Sequence, residues 1–101
     1  MKKYNVRNPF VQTDEHGEIW EMPDGGENLP IVGARCLFEV RGGVLINGRP
    51  LMDGFRAYGY RADRETILLP LWGAKLPPAV IRRWRYVEGP PFWNGNLAPI
   101  Q

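Results

Sequence analysis

Two side chains in this sequence could pair as a thiol nucleophile and its base: Cys36 and His16, the only cysteine and the only histidine. Thiol catalysis needs the two within hydrogen-bond reach. Their settings speak against it. His16 lies in the polar run Asp14-Glu15-His16-Gly17, which reads as a turn tip, whereas Cys36 alternates with Phe38 and Val40 and so points into a core. An inert buried thiol and an exposed turn histidine follow. The chain has no serine, which removes a Ser-His-Asp triad. One Cys and one His cannot supply a zinc site without carboxylates. Carboxylates such as Glu18 with Glu21, Glu39 or Asp53 could do acid–base work, but nothing flanks them with a buried polar setting, and they read as surface groups. No phosphate-cradling G-x-G-x-x-G or G-K-[ST] is present, and Asp24-Gly25-Gly26-Glu27 lacks the acid spacing of a calcium loop. The expectation is a chain with no catalytic residue, no metal and no cofactor, and hence not an enzyme.

What remains is recognition chemistry. Arg56, Tyr58 and Tyr60 alternate along one face of the run Phe55 to Arg61, and Arg64 follows shortly after. Arg82, Arg83 and Arg85 form a second basic cluster, and Pro90-Pro91-Phe92-Trp93 offers an aromatic anchor in Trp93. Arginine and aromatic side chains dominate protein-interface hot spots. On a sheet they also stack bases and neutralise phosphates. Gly54 to Tyr60 is loosely similar to the aromatic strand of an RRM, but the required residue order and the two-helix context are absent.

These residues need a framework, and the turn residues outline one. Gly 12 and Pro 10 are scattered over all 101 residues, so long elements are disfavoured. Tyr4 to Val6 reads as a short strand. Phe10 to Thr13 and Glu18 to Met22 read as a hairpin closed by Gly17 in a left-handed conformation. Ile31 to Arg41 alternates, with Cys36, Phe38 and Val40 on one face and Arg35, Leu37, Glu39 and Arg41 on the other. Val44 to Ile46 and Arg49 to Met52 flank Asn47-Gly48, a strong hairpin signal. Phe55 to Arg61 and the nearly all-apolar Thr66 to Leu69 are further strands, joined by a turn at Ala62 to Glu65. Pro78 to Trp84 is the one plausible helix, with Val80, Ile81 and Trp84 as its apolar stripe; the alternative there is a strand. Residues 89–101 read as an irregular strap with apolar residues to pack on a surface.

Strand-like segments recurring every 8 to 12 residues predict a mainly β fold. The expected architecture is a small antiparallel barrel or sandwich of five to seven short strands, with room for one short helix, forming a single domain over 1–101. Four Trp, four Tyr and four Phe supply a core. The net charge is +2, low for a committed nucleic-acid binder, and ten of the thirteen basic residues are Arg. Six acids lie between Gln12 and Ala34 with no base among them, whereas Lys75 to Arg85 holds four bases and no acid. The two segments either face solvent and partly neutralise each other or form a bipolar surface that steers a partner. No apolar run is long enough to span a bilayer, and no signal-like segment opens the chain, so a cytoplasmic location is expected, with no membrane partner. The function expected is a non-catalytic protein-binding module, an inhibitor or regulator that occupies a surface of a larger complex. Size and absences favour this reading, as for the small regulators of phages and mobile elements. The alternatives are a single-stranded nucleic-acid-binding β domain and a small structural subunit.

Overall fold

The computed structural model describes residues 11–23 and 27–87. Nine strands follow in chain order: β1 Val11–Thr13, β2 Ile19–Glu21, β3 Arg35–Val40, β4 Leu45–Ile46, β5 Arg49–Pro50, β6 Phe55–Asp63, β7 Thr66–Leu69, β8 Ala74–Leu76 and β9 Ile81–Tyr86. Seven of them form one antiparallel sheet in the order β1-β2-β9-β3-β6-β7-β8, and β4 with β5 forms a separate two-stranded ribbon. The mainly β, sandwich-like class read from the sequence is the observed one. The sheet is not closed into a barrel.

Turn chemistry places the strands. At the β1–β2 hairpin Gly17 has φ +81°, as its position predicted. Asp14 organises the same turn, accepting the backbone N–H groups of His16 at 2.8 Å and Glu18 at 3.0 Å. At the β4–β5 ribbon Asn47 and Gly48 both have positive φ, 53° and 80°, the combination a type I′ hairpin requires.

Alternation then sorts the side chains. Cys36, Phe38 and Val40 on β3 face the core together with Ala57, Ile67, Leu69, Leu76, Ile81 and Trp84. The β4–β5 ribbon lies on this face, contributing Ile46 to the core, with Val44 and Leu51 packed beside it. Cys36 is fully buried, and burial alone pushes its thiol pKa far up. The buried position is the one its alternation with Phe38 and Val40 predicted.

Three expectations need correction. No helix spans Pro78 to Trp84: Pro78–Val80 is a single 3-10 turn and Ile81 opens strand β9. The cause is a register shift between Glu39 and Val40, where Glu39 faces Arg83 but Val40 faces Ile81. Arg82 is the extra residue of a β-bulge. The bulge brings Ile81 and Trp84, three apart, onto the same buried face, which mimics helical spacing in a strand. The turn expected at Ala62 to Glu65 is shorter, because β6 runs on to Asp63. Glu39, read as a surface carboxylate, is 2% exposed. The strand expected at Tyr4 to Val6 and the strap at 89–101, with Trp93, lie outside the described residues.

Candidate functional site

The sheet face opposite the core carries most of the predicted recognition residues, and strand pairing arranges them as a grid. On β3, Arg35, Leu37 and Glu39 point to this face. Their partners on β6 are Tyr60, Tyr58 and Arg56. On β9, Arg85 pairs with Leu37 and Arg83 with Glu39. Three transverse rows result. Tyr60 and Arg35 make the first, Tyr58, Leu37 and Arg85 the second, and Arg56, Glu39 and Arg83 the third. Trp20 on β2 belongs to the same face, beyond β9.

The third row is an internally compensated cluster. Glu39 Oε1 accepts from Arg56 Nε at 3.0 Å and from Arg83 Nε at 3.1 Å. Arg82 Nε lies 3.7 Å from Oε2. The bulge is what allows adjacent Arg82 and Arg83 to approach one carboxylate from the same strand. Burying a carboxylate is costly unless it is paired and hydrogen-bonded, and the three guanidiniums meet that requirement. Their own exposures differ: the side chains of Arg82, Arg56 and Arg83 are 54%, 35% and 12% exposed.

Trp20 sits beneath this cluster, 1% exposed. The guanidinium carbons of Arg83, Arg56 and Arg85 lie 4.7, 4.8 and 5.6 Å from its ring centroid, within cation–π range. Its indole N–H donates to Asp14 Oδ2 at 2.8 Å. That bond, helped by the backbone N–H groups of the turn, holds the Asp14 carboxyl down at about 2. Arg85 Nη1 reaches Glu18 Oε1 at 3.0 Å, and Arg83 Nη1 donates to Gln12 Oε1. The acidic hairpin and the basic segment, far apart in sequence, are thus neighbours through the pairing of β2 with β9, and they partly neutralise each other.

The other two rows are open. Tyr58 is 48% exposed, and the Arg35 guanidinium lies 4.9 Å from its ring centroid. Tyr60 and Leu37 are half-buried, and Arg35 is exposed. Of the residues predicted to bind a partner, Arg56, Tyr58, Tyr60, Arg82, Arg83 and Arg85 therefore share one face. Arg64 does not join them; it is in the turn between β6 and β7. Sequence reasoning missed Arg35, Leu37, Glu39 and Trp20 as members of the site. The alternation of Ile31 to Arg41 carried the signal for three of them, but their neighbours depend on pairing register.

Acid–base or metal chemistry finds little here. His16 is exposed at the hairpin tip, and Cys36 is buried on the opposite side of the sheet, its S–H directed at the Ala34 carbonyl at 3.5 Å. Among the described residues no three His, Cys, Asp or Glu side chains converge as metal ligands, and no helix is long and apolar enough to cross a membrane. The chain matches no family model, no curated protein and no solved structure.

Proposed function

We propose that this protein is a non-catalytic binding module that engages a protein partner through the β3–β6–β9 sheet face. The observation that carries the reading is the open part of the grid, where a half-exposed Tyr58 lies under the Arg35 guanidinium beside Leu37. Tyrosine, arginine and an apolar centre are the composition of an interface hot spot. The sheet beneath orders their backbone in advance, which lowers the entropy lost on docking. An inhibitor or regulator that occupies a surface of a larger complex would work in this way.

A single-stranded nucleic acid is the competing partner. Two features disfavour it. A phosphate track needs a continuous run of cations, whereas the apolar Leu37 interrupts this strip between Arg35 and the Arg56–Glu39–Arg83 row. Base stacking needs a free ring face, whereas the Arg35 guanidinium lies over the Tyr58 ring and Trp20 is covered by three guanidiniums.

Affinity capture from cell lysate with the full chain, with and without nuclease, tests the reading when wild type is compared with Tyr58→Ala. A protein should be retained after nuclease treatment. Tyr58→Ala should weaken its binding by about 2 kcal/mol or more, the hot-spot threshold, or roughly 30-fold. Capture that disappears with nuclease, or that Tyr58→Ala leaves unchanged, would overturn it.

A further inference from the structure

We infer that the partner docks an extended acidic segment on this face, with an apolar side chain over Leu37 and a carboxylate on either side of it. The inference rests on the protein-binding reading above and names the chemistry of the partner.

Charge complementarity along β3 carries it. Five arginines belong to this face: Arg35, Arg56, Arg82, Arg83 and Arg85. Four have a carboxylate partner, Glu39 for three of them and Glu18 for Arg85. Arg35 has none among the described residues. Its planar, always-charged fork lies exposed over Tyr58, where it can take a carboxylate through two parallel hydrogen bonds. At the other end of the grid three guanidiniums share a single carboxylate, and Arg82, the most exposed of them, is also the most loosely held. Positive charge is therefore in excess at both ends of the strip. The middle row is different: Leu37 lies between Tyr58 and Arg85, so its centre is apolar.

Spacing fixes the form of the ligand. Arg35, Leu37 and Glu39 are successive same-side residues of one strand, each about 6.7 Å from the next. An extended segment laid along β3 presents its own alternate side chains at the same interval. An acid, an apolar residue and a second acid at alternate positions would then meet Arg35, Leu37 and the Arg56–Arg82 pair in turn. A lysine-bearing segment would be repelled at both ends.

The test uses the full chain labelled with nitrogen-15 and the blocked peptide Glu-Thr-Leu-Thr-Glu, with Gln-Thr-Leu-Thr-Gln, Glu-Thr-Thr-Thr-Glu and oligo-dT as comparison probes. At millimolar concentration the first peptide should shift the Arg35, Leu37 and Tyr58 amides. It should bind about tenfold tighter than either comparison peptide. Arg35→Gln and Arg35→Ala should abolish the preference for Glu over Gln while leaving the melting temperature unchanged. Equal binding of the Glu and Gln peptides, no shift with any peptide, or larger shifts at these residues with oligo-dT overturns the inference. If the peptides fail but Tyr58→Ala still abolishes protein capture, the acidic-segment inference falls and the protein-binding reading stands. If Tyr58→Ala leaves capture intact, that reading falls first.

Discussion

Replacing Glu39 by alanine isolates the energetic centre of the sheet face. The carboxylate is 2% exposed and is held by Arg56, Arg82 and Arg83. Removing one member of a buried charge cluster typically costs about 3–5 kcal/mol, because the remaining charges are left uncompensated. That range applies to fully buried partners, and these three differ. Arg82 and Arg56 are exposed enough to turn their guanidiniums into water. Arg83, at 12%, is not, and it also packs against Trp20. One stranded guanidinium and two that relax reduce the expectation to about 2–3 kcal/mol, with most of the loss at Arg83. For a domain of this size each kcal/mol moves the midpoint by roughly 4–8 °C, so Glu39→Ala should lower Tm by about 10–20 °C. Glu39→Gln keeps an acceptor oxygen for Arg83 and should cost less.

Thermal melts followed by near-ultraviolet circular dichroism suit the measurement, because Trp20 reports on the cluster itself. A double-mutant cycle adds the attribution. Coupling of Glu39 to Arg83 should exceed its coupling to Arg82 by a clear margin, given 3.1 Å and little exposure against 3.7 Å and half exposure. Glu39→Ala that melts with wild type, or equal coupling to the two arginines, would refute the account of why this carboxylate is buried.

Three other perturbations probe the elements that hold the face. Asp14 is kept ionised down to about pH 2, first by the Trp20 indole and then by turn amides. A lowered pKa stabilises the fold fully above the unfolded value of about 3.9, and the contribution is lost as pH falls through the folded one. Wild type should therefore lose stability between about pH 4 and pH 2, a component that Asp14→Asn, followed by acid titration of its melting temperature, should lack. Gly59→Ala should fail to fold or lose more than about 2 kcal/mol in a denaturant melt, since a Cβ there would meet the Leu68 carbonyl oxygen at 2.1 Å. Gly17→Val should cost roughly 1–2 kcal/mol for a β-branched residue at φ +81°, and an unchanged melting curve would contradict the hairpin's geometry.

The sequence made some of this fold legible and hid the rest for identifiable reasons. Turns announced by Gly17 and by Asn47-Gly48 were readable because positive φ selects those residues locally. The two faces of β3 and of β6 were readable because strand alternation is also local. Strand β9 was not. Its bulge at Arg82 breaks the period of two, and the i, i+3 spacing of Ile81 and Trp84 then resembles a helical stripe. Strand β8, three residues between Gly73 and Pro77, is too short for any periodicity to show. Six of the seven arginines and tyrosines that share the face were identifiable by type; Arg35 was not singled out. Glu39 was not identifiable as their centre, because its burial depends on which strands lie on either side of β3.

That dependence changes what the basic charge of this chain means. Counted along the sequence, Arg82, Arg83 and Arg85 look like a free cationic run. In the folded chain Arg83 and Arg85 are turned toward Glu39 and Glu18, and both lie against Trp20. The guanidiniums that organise the sheet and the guanidinium available to a ligand are therefore different residues. Arg83 carries out the first role, bridging β9 to the buried carboxylate and to β1 through Gln12. Arg35 is suited to the second, because Tyr58, over which its guanidinium lies, orients it without neutralising it, and no carboxylate among the described residues pairs with it. Truncating Arg83 removes structure, and truncating Arg35 removes a charge that no described carboxylate compensates, so the two changes separate the stability of this face from the binding proposed for it.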